Sequence, residues 1–201
     1  MTRMLRAGVS LFLAVLFVTS SITCLAAAPK TSAASFVLME AESGRVIASG
    51  NELQERSIAS TTKIMTCLVA LEHSALSERV TVARRHLREG SSMYLAEGEV
   101  LTMEELLYGL MLPSGNDAAE CIADHCGGEG GSRQFVAWMN EKAKELGMTK
   151  TAFANPSGLD EAGHRSCALD MARLAAYAMR DPTFTRIAST RTARVGARTM
   201  T

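Results

Sequence analysis

Ser60-Thr61-Thr62-Lys63-Ile64-Met65-Thr66-Cys67-Leu68-Val69-Ala70-Leu71 sets a hydroxyl and an amine three residues apart at the head of a run that carries no charge between Lys63 and Glu72. Ile64, Cys67, Leu68 and Leu71 recur at helical spacing, and other apolar residues fill the remaining faces. Such a helix has to be enclosed by its neighbours. A spacing of three puts Ser60 and Lys63 on one face. The unpaired N–H groups and positive dipole end of a first turn favour an oxyanion or alkoxide there. A partly desolvated lysine can lose its proton and take one from the neighbouring hydroxyl, which makes that serine a nucleophile. The spacing alone arises about once by chance in a chain of this size, so its weight comes from what surrounds it.

Upstream, Phe36-Val37-Leu38-Met39 and Arg45-Val46-Ile47-Ala48 are β-rich runs joined by a turn, which predicts a hairpin. Downstream the signals are mostly helical. A short strand is expected at Arg79 to Val82. Thr102-Met103-Glu104-Glu105 is a capping box that opens a helix closed by Pro113. A second helix is expected from about Asp117 to His125, with Asn116 or Asp117 as its cap, and further helices at about Arg133 to Leu146 and Ala168 to Met179, with Ser166 as the cap of the last. Arg180 to Arg198 reads as solvated strand and loop surface, ending in a weak strand at Ala193 to Thr201. A ribbon followed by a helical block is an α+β arrangement, an antiparallel sheet packed against helices.

The chain has 201 residues, 47% hydrophobic, with 21 basic and 21 acidic side chains. That composition supports one sizeable core and gives no electrostatic reason to expect a nucleic-acid partner. The first residues stand apart from the fold. Arg3 and Arg6, the uncharged apolar run Ala7 to Val18 and the small residues Ala26 to Ala28 have the order of a secretory signal peptide. The reading is a leader over residues 1–28, cut somewhere between 27 and 34, followed by one domain over 35–201. Its loss leaves 19 basic against 21 acidic groups. The expected location is outside the cytoplasm.

Ser114-Gly115-Asn116 falls between two helices, where a scaffold presents side chains to a cleft. The hydroxyl can relay a proton, and the amide can hold a substrate carbonyl or the Lys63 ammonium. Ile58-Ala-Ser-Thr-Thr-Lys-Ile-Met-Thr66, Gly90-Ser-Ser-Met-Tyr-Leu95, Leu107-Tyr-Gly-Leu-Met-Leu-Pro-Ser-Gly-Asn-Asp-Ala-Ala119, Asn155-Pro-Ser-Gly-Leu-Asp160 and Asp170-Met-Ala-Arg-Leu-Ala175, in that order, resemble the low-molecular-weight penicillin-binding proteins, serine-type D-alanyl-D-alanine carboxypeptidases. The resemblance implies a β-lactamase/transpeptidase-like fold, Ser60 as the acylated nucleophile, Lys63 as its general base, Ser114 as proton relay and Asn116 as substrate and Lys63 anchor. It implies no cofactor. Its partners would be a peptidoglycan stem peptide ending in D-Ala-D-Ala and the β-lactam antibiotics.

One family motif is missing. Lys-Thr-Gly, which binds the substrate carboxylate from a strand after the helical block, has no counterpart here; Lys30-Thr31-Ser32 and Lys150-Thr151-Ala152 lie in the wrong places and lack the glycine. The expectation is therefore a C-terminally truncated chain without the last sheet strands, inactive alone, with any membrane association left to a segment beyond Thr201. A non-catalytic wall-binding protein of the same fold is the alternative. A class A β-lactamase is disfavoured, since it carries Ser-Asp-Asn where this chain has Ser114-Gly115-Asn116. Cys121, Asp124, His125 and Cys126 are read as a helix end rather than a zinc site, because no second pair lies at ligand spacing. Cys67 and Cys167 are read as small buried hydrophobes, and pairing of Cys121 or Cys126 stays open. His164 is expected to be structural or to line the groove, the base being Lys63 already.

Overall fold

A 3-10 turn, Ala59–Thr62, carries Ser60 into helix α1, Lys63–His73. The computed structural model describes residues 30–201, of which Ser32–Thr201 form one compact unit. The leader read from the sequence lies outside the described residues. In chain order the elements are β1 (Phe36–Met39), β2 (Val46–Gly50), α1, β3 (Arg79–Thr81), β4 (Val100–Thr102), α2 (Met103–Met111), α3 (Asn116–Cys126), α4 (Gly131–Glu145), α5 (Ala168–Ala178), α6 (Pro182–Ala188), β5 (Ala193–Val195) and β6 (Arg198–Met200).

Helix α1 touches each of the other five helices. That placement explains its composition: Met65, Cys67, Leu68, Val69 and Ala70 are all buried, and a helix enclosed on every side has no face to give to charge. Around it Met103, Leu106, Leu107 and Leu110 of α2, Ile122 of α3, Phe135 and Met139 of α4 and Leu174 of α5 complete one core. The capping box at the start of α2 is formed as read. Thr102 Oγ1 accepts the Glu105 N–H at 3.2 Å, and Glu105 Oε2 accepts the Thr102 N–H at 2.8 Å.

The strands pair as three separate antiparallel ribbons, β1–β2, β3–β4 and β5–β6. The first lies against α5 and leaves Leu38, Val46 and Ile47 exposed. The last is tied to the loop before β4 by Arg198, which forks onto Glu99 (Nη1–Oε1 2.5 Å, Nη2–Oε2 2.7 Å) and also donates to the Tyr94 carbonyl.

Three readings need correction. The Arg180–Arg198 stretch is not all strand and loop surface, because Asp181 caps a helix there. Its Oδ1 accepts from Thr183 N and Phe184 N, Pro182 supplies the fixed φ of a first turn, and Phe184 and Ile187 are buried. Helix α3 is capped by Gly115, with Asn116 already inside, since Asn116 is bonded elsewhere. The cap of α5 is Cys167 rather than Ser166, whose hydroxyl is shared with Thr151 Oγ1 at 2.7 Å.

That last contact belongs to a buried network. Asp170 accepts the Lys150 N–H (2.7 Å), the Thr151 hydroxyl (2.9 Å) and the Arg173 guanidinium (3.2 Å). Backbone bonds in both directions between Arg56 and Ser166 hold the same region to the chain entering α1. The 149–166 segment is thereby fixed against the head of α1. Gly158 shows how close the fit is: its φ is +86°, and a Cβ there would sit 2.0 Å from the Ala59 carbonyl oxygen. Ala59 holds a left-handed φ of +45°, a conformation that costs a non-glycine residue about 1–2 kcal/mol and that persists where the surroundings dictate it.

Gly44 has the same hand, φ +71°, with nothing within 4 Å of a Cβ. Gly44→Ala is therefore expected to lose only the conformational term, about 1–2 kcal/mol, whereas Gly158→Ala adds a backbone clash and should lose clearly more. Thermal melting of the two variants side by side tests this; equal losses would show that the 158–59 contact yields without strain.

Candidate active site

Ser60, Lys63 and Asn116 come together where the heads of α1 and α3 meet the 154–158 loop. The Lys63 side chain is 3% exposed. Its Nζ lies 3.3 Å from Ser60 Oγ, 2.8 Å from Asn116 Oδ1 and 2.6 Å from the Ser157 carbonyl oxygen. An ammonium has three protons, and here it has three acceptors. Burial lowers the Lys63 pKa from 10.5 to about 8, against the opposing pull of the Asp117 carboxylate. Near neutrality about one molecule in ten then holds the free amine. In that form two N–H bonds remain, suited to Asn116 Oδ1 and Ser157 O, which can only accept. The lone pair is left for Ser60, the one partner with a proton to give. Ser60 itself is exposed, so the amine stands behind a hydroxyl that faces solvent.

Asn116 is fixed by three bonds. Beyond the lysine contact, its Nδ2 donates to Glu89 O at 2.8 Å and its backbone N–H to Ser91 O at 2.7 Å. Ser114, two residues earlier, has φ +60°, and its hydroxyl oxygen is buried without a hydrogen-bond partner. It makes no bond to Ser60 or Lys63. Gly115 between them has no room for a side chain: a Cβ would lie 2.8 Å from both Asp117 Oδ1 and the Gly109 carbonyl oxygen. A Ser-Asp-Asn triplet therefore does not fit this backbone as it stands.

Two residues have positioning roles that the sequence reading did not give them. Asp117 is 1% exposed and accepts from Ser92 Oγ (2.6 Å), Met93 N (3.0 Å) and Leu95 N (3.0 Å), which pins the 91–95 loop beside the head of α3. Asn155 Oδ1 accepts from Ser157 N (3.2 Å), Gly158 N (2.8 Å) and Ser157 Oγ (3.1 Å), shaping the turn that presents the Ser157 carbonyl to Lys63. A signal for each was available: an acid next to the Ser-Gly-Asn triplet, and an Asx residue opening a Pro-Ser-Gly turn.

The remaining candidates are drawn elsewhere. Asp124 accepts from Arg85 (2.6 Å) and His86 (2.9 Å), and His125 pairs with Glu78 at 3.0 Å. Cys121 is in the core as read. Cys67, Cys121, Cys126 and Cys167 are free thiols, and burial pushes those of Cys67, Cys121 and Cys126 up to about 12. His164 is buried between Thr62 Oγ1 and Ala154 N rather than lying against Ser60.

Comparison with known proteins bears on this geometry. The sequence profile described as D-alanyl-D-alanine carboxypeptidase matches residues 22–201. The chain is 38% identical over 164 residues to D-alanyl-D-alanine carboxypeptidase DacF of Bacillus subtilis and 39% identical over 158 residues to DacD of Escherichia coli. These alignments cover 79% and 73% of this chain but 42% and 40% of those proteins. Among solved structures it is similar to a D-alanyl-D-alanine carboxypeptidase from Mycobacterium tuberculosis (TM-score 0.78, 34% identity, 83% of this chain and 63% of that one). Penicillin binding protein 6B from Escherichia coli gives a TM-score of 0.79 at 34% identity, over 86% of this chain and 58% of that one. By the extent of the profile match, the chain belongs to the D-alanyl-D-alanine carboxypeptidase family.

Proposed function

We propose that the protein is an exported serine carboxypeptidase of the cell envelope, which removes the terminal D-alanine from peptidoglycan stem peptides through an ester on Ser60, and that penicillins, as mimics of the D-Ala-D-Ala end, acylate the same hydroxyl. The observation that carries this reading is the setting of Lys63: buried, lowered to about 8, and bonded to two pure acceptors besides Ser60.

The chemistry follows from that setting. The Lys63 amine takes the Ser60 proton as Oγ attacks the carbonyl carbon of the penultimate residue. The developing oxyanion is met by the Ser60 N–H, which lies in the 3-10 turn at the head of α1. The proton then has to reach the nitrogen of the leaving D-alanine. Ser114 suits that transfer, because a hydroxyl with no standing partner is free both to accept and to donate. Water attacks the ester in the second half, again deprotonated by Lys63, and Ser60 recovers its proton. The apolar run behind Arg3 and Arg6 supports export, and among the described residues no helix is long and apolar enough to cross a membrane.

A labelled penicillin incubated with the full-length protein should give a denaturation-stable adduct that Ser60→Ala abolishes. Lys63→Ala should slow its formation by a factor of about 10² to 10⁴, the worth of a positioned base. Labelling of Ser60→Ala at the wild-type rate would overturn the nucleophile assignment. An adduct without D-alanine release from a D-Ala-D-Ala peptide would favour the wall-binding alternative.

The Asp117 charge holds the Lys63 value up. Asp117→Asn removes it, so the amine should lose its proton at lower pH and the acid limb of the acylation profile should move down. The same variant replaces one of two accepting oxygens and should melt earlier by thermal denaturation, a loss of about 1–3 kcal/mol for the donor left unpaired. An acid limb that stays put while stability falls would separate the structural role of Asp117 from its electrostatic one.

A further inference from the structure

Both nitrogens of His164 are committed. Nδ1 accepts the Ala154 N–H at 3.1 Å, and Nε2 lies 2.8 Å from Thr62 Oγ1. A backbone N–H can only donate, so Nδ1 carries no proton. The neutral ring has its hydrogen on Nε2 and gives it to Thr62. The ring is buried, edge-on to Phe153 with centroids 5.9 Å apart.

What it joins matters for Lys63. Ala154 opens the stretch that delivers Pro156 O to Thr66 Oγ1 at 2.6 Å and Ser157 O to Lys63 Nζ at 2.6 Å. Thr62 immediately precedes Lys63. The imidazole therefore spans the two segments between which the lysine–carbonyl contact is made. Glu161 and Asp160 of the loop favour an imidazolium, and Arg165, next in sequence, is engaged with Glu55 at 2.8 Å. Burial outweighs the two carboxylates and holds His164 below the ordinary histidine value of 6.5.

We propose that His164 is a positioning residue for Lys63: as a neutral imidazole it locks the 154–158 loop to the head of α1, and its protonation releases the Ser157 carbonyl from the amine. A proton added from solvent to Nδ1 sets N–H against the Ala154 N–H, and one of the two bonds that close the bridge is lost. This inference rests on the reading of Lys63 as the base for Ser60.

The test is the pH dependence of Ser60 acylation by a labelled penicillin in the full-length protein, for wild type, His164→Gln, His164→Phe and Ser60→Ala. In wild type the logarithm of the rate should fall with a slope of about 1 below the Lys63 value and steepen beyond 1 over the range in which His164 also takes a proton. Glutamine can accept from Ala154 and donate to Thr62 but does not titrate. His164→Gln should be slower by about 3-fold to 10-fold near pH 8 yet keep a slope of about 1 down to pH 5, and His164→Phe, which keeps ring volume and loses both bonds, should be slower still with the same single slope. A wild-type slope of 1 throughout, or a glutamine variant that steepens as wild type does, would overturn the proposal; a merely structural histidine changes rate without changing slope. Nitrogen NMR of the imidazole gives a readout independent of any variant, with the Nε2–H tautomer expected and the Nδ1–H tautomer excluding the bridge. Persistent labelling of Ser60→Ala would instead sink the nucleophile assignment, leaving the two failures distinguishable.

Discussion

Taking the Lys63 ammonium out of water obliges the protein to supply an acceptor for each of its protons, and the architecture around the site is arranged to do so. Ser60 comes from the turn at the start of the same helix, Asn116 from the head of α3, and the Ser157 carbonyl from a loop nearly a hundred residues further along the chain. A mismatch in any of these segments leaves a buried donor unsatisfied, at about 1–3 kcal/mol or more for a charged group. The central helix can hold an ionisable group at its head because three separate segments bring acceptors to it.

That fixing is done by buried polar side chains bonded to backbone. Asp117 gathers the 91–95 loop, Asn155 shapes its own turn, and Asp170 gathers Lys150, Thr151 and Arg173. Each accepts several N–H or O–H bonds, which is how a buried carboxylate or amide comes to stabilise rather than strain a core. The segments they hold carry the site residues but have little regular structure of their own. Helix packing sets the frame, and these side chains set the register of the loops within it.

The parts legible in the sequence are those governed by local rules. An uncharged apolar run from Ile64 to Leu71 required a central helix, and Thr102 with Glu105 announced the start of α2. Ser60 and Lys63 could be paired because a spacing of three fixes their relation on one helix. The cap of α3 was misplaced for a different reason: Asn116 has the residue type of a cap, but its side chain is held by Lys63 and Glu89, partners 53 and 27 residues away. Helix α6 was missed even though Asp181-Pro182 is a start signal, because the surrounding arginines read as surface and only two buried residues, Phe184 and Ile187, mark its inner face. The roles of Asp117, Asn155 and His164 depend on which loops meet, a tertiary fact with no periodicity to betray it.

Among the described residues four thiols are unpaired, three of them buried and Cys126 partly so. In an oxidising compartment a thiol escapes cross-linking only while it is shielded and protonated, conditions that hold in the finished core and fail in the unfolded chain. Under the export proposed for this chain, folding has to outrun oxidation: an unfolded molecule offers Cys67 and Cys121 to mismatched disulfides, and a bridged chain can no longer place its central helix.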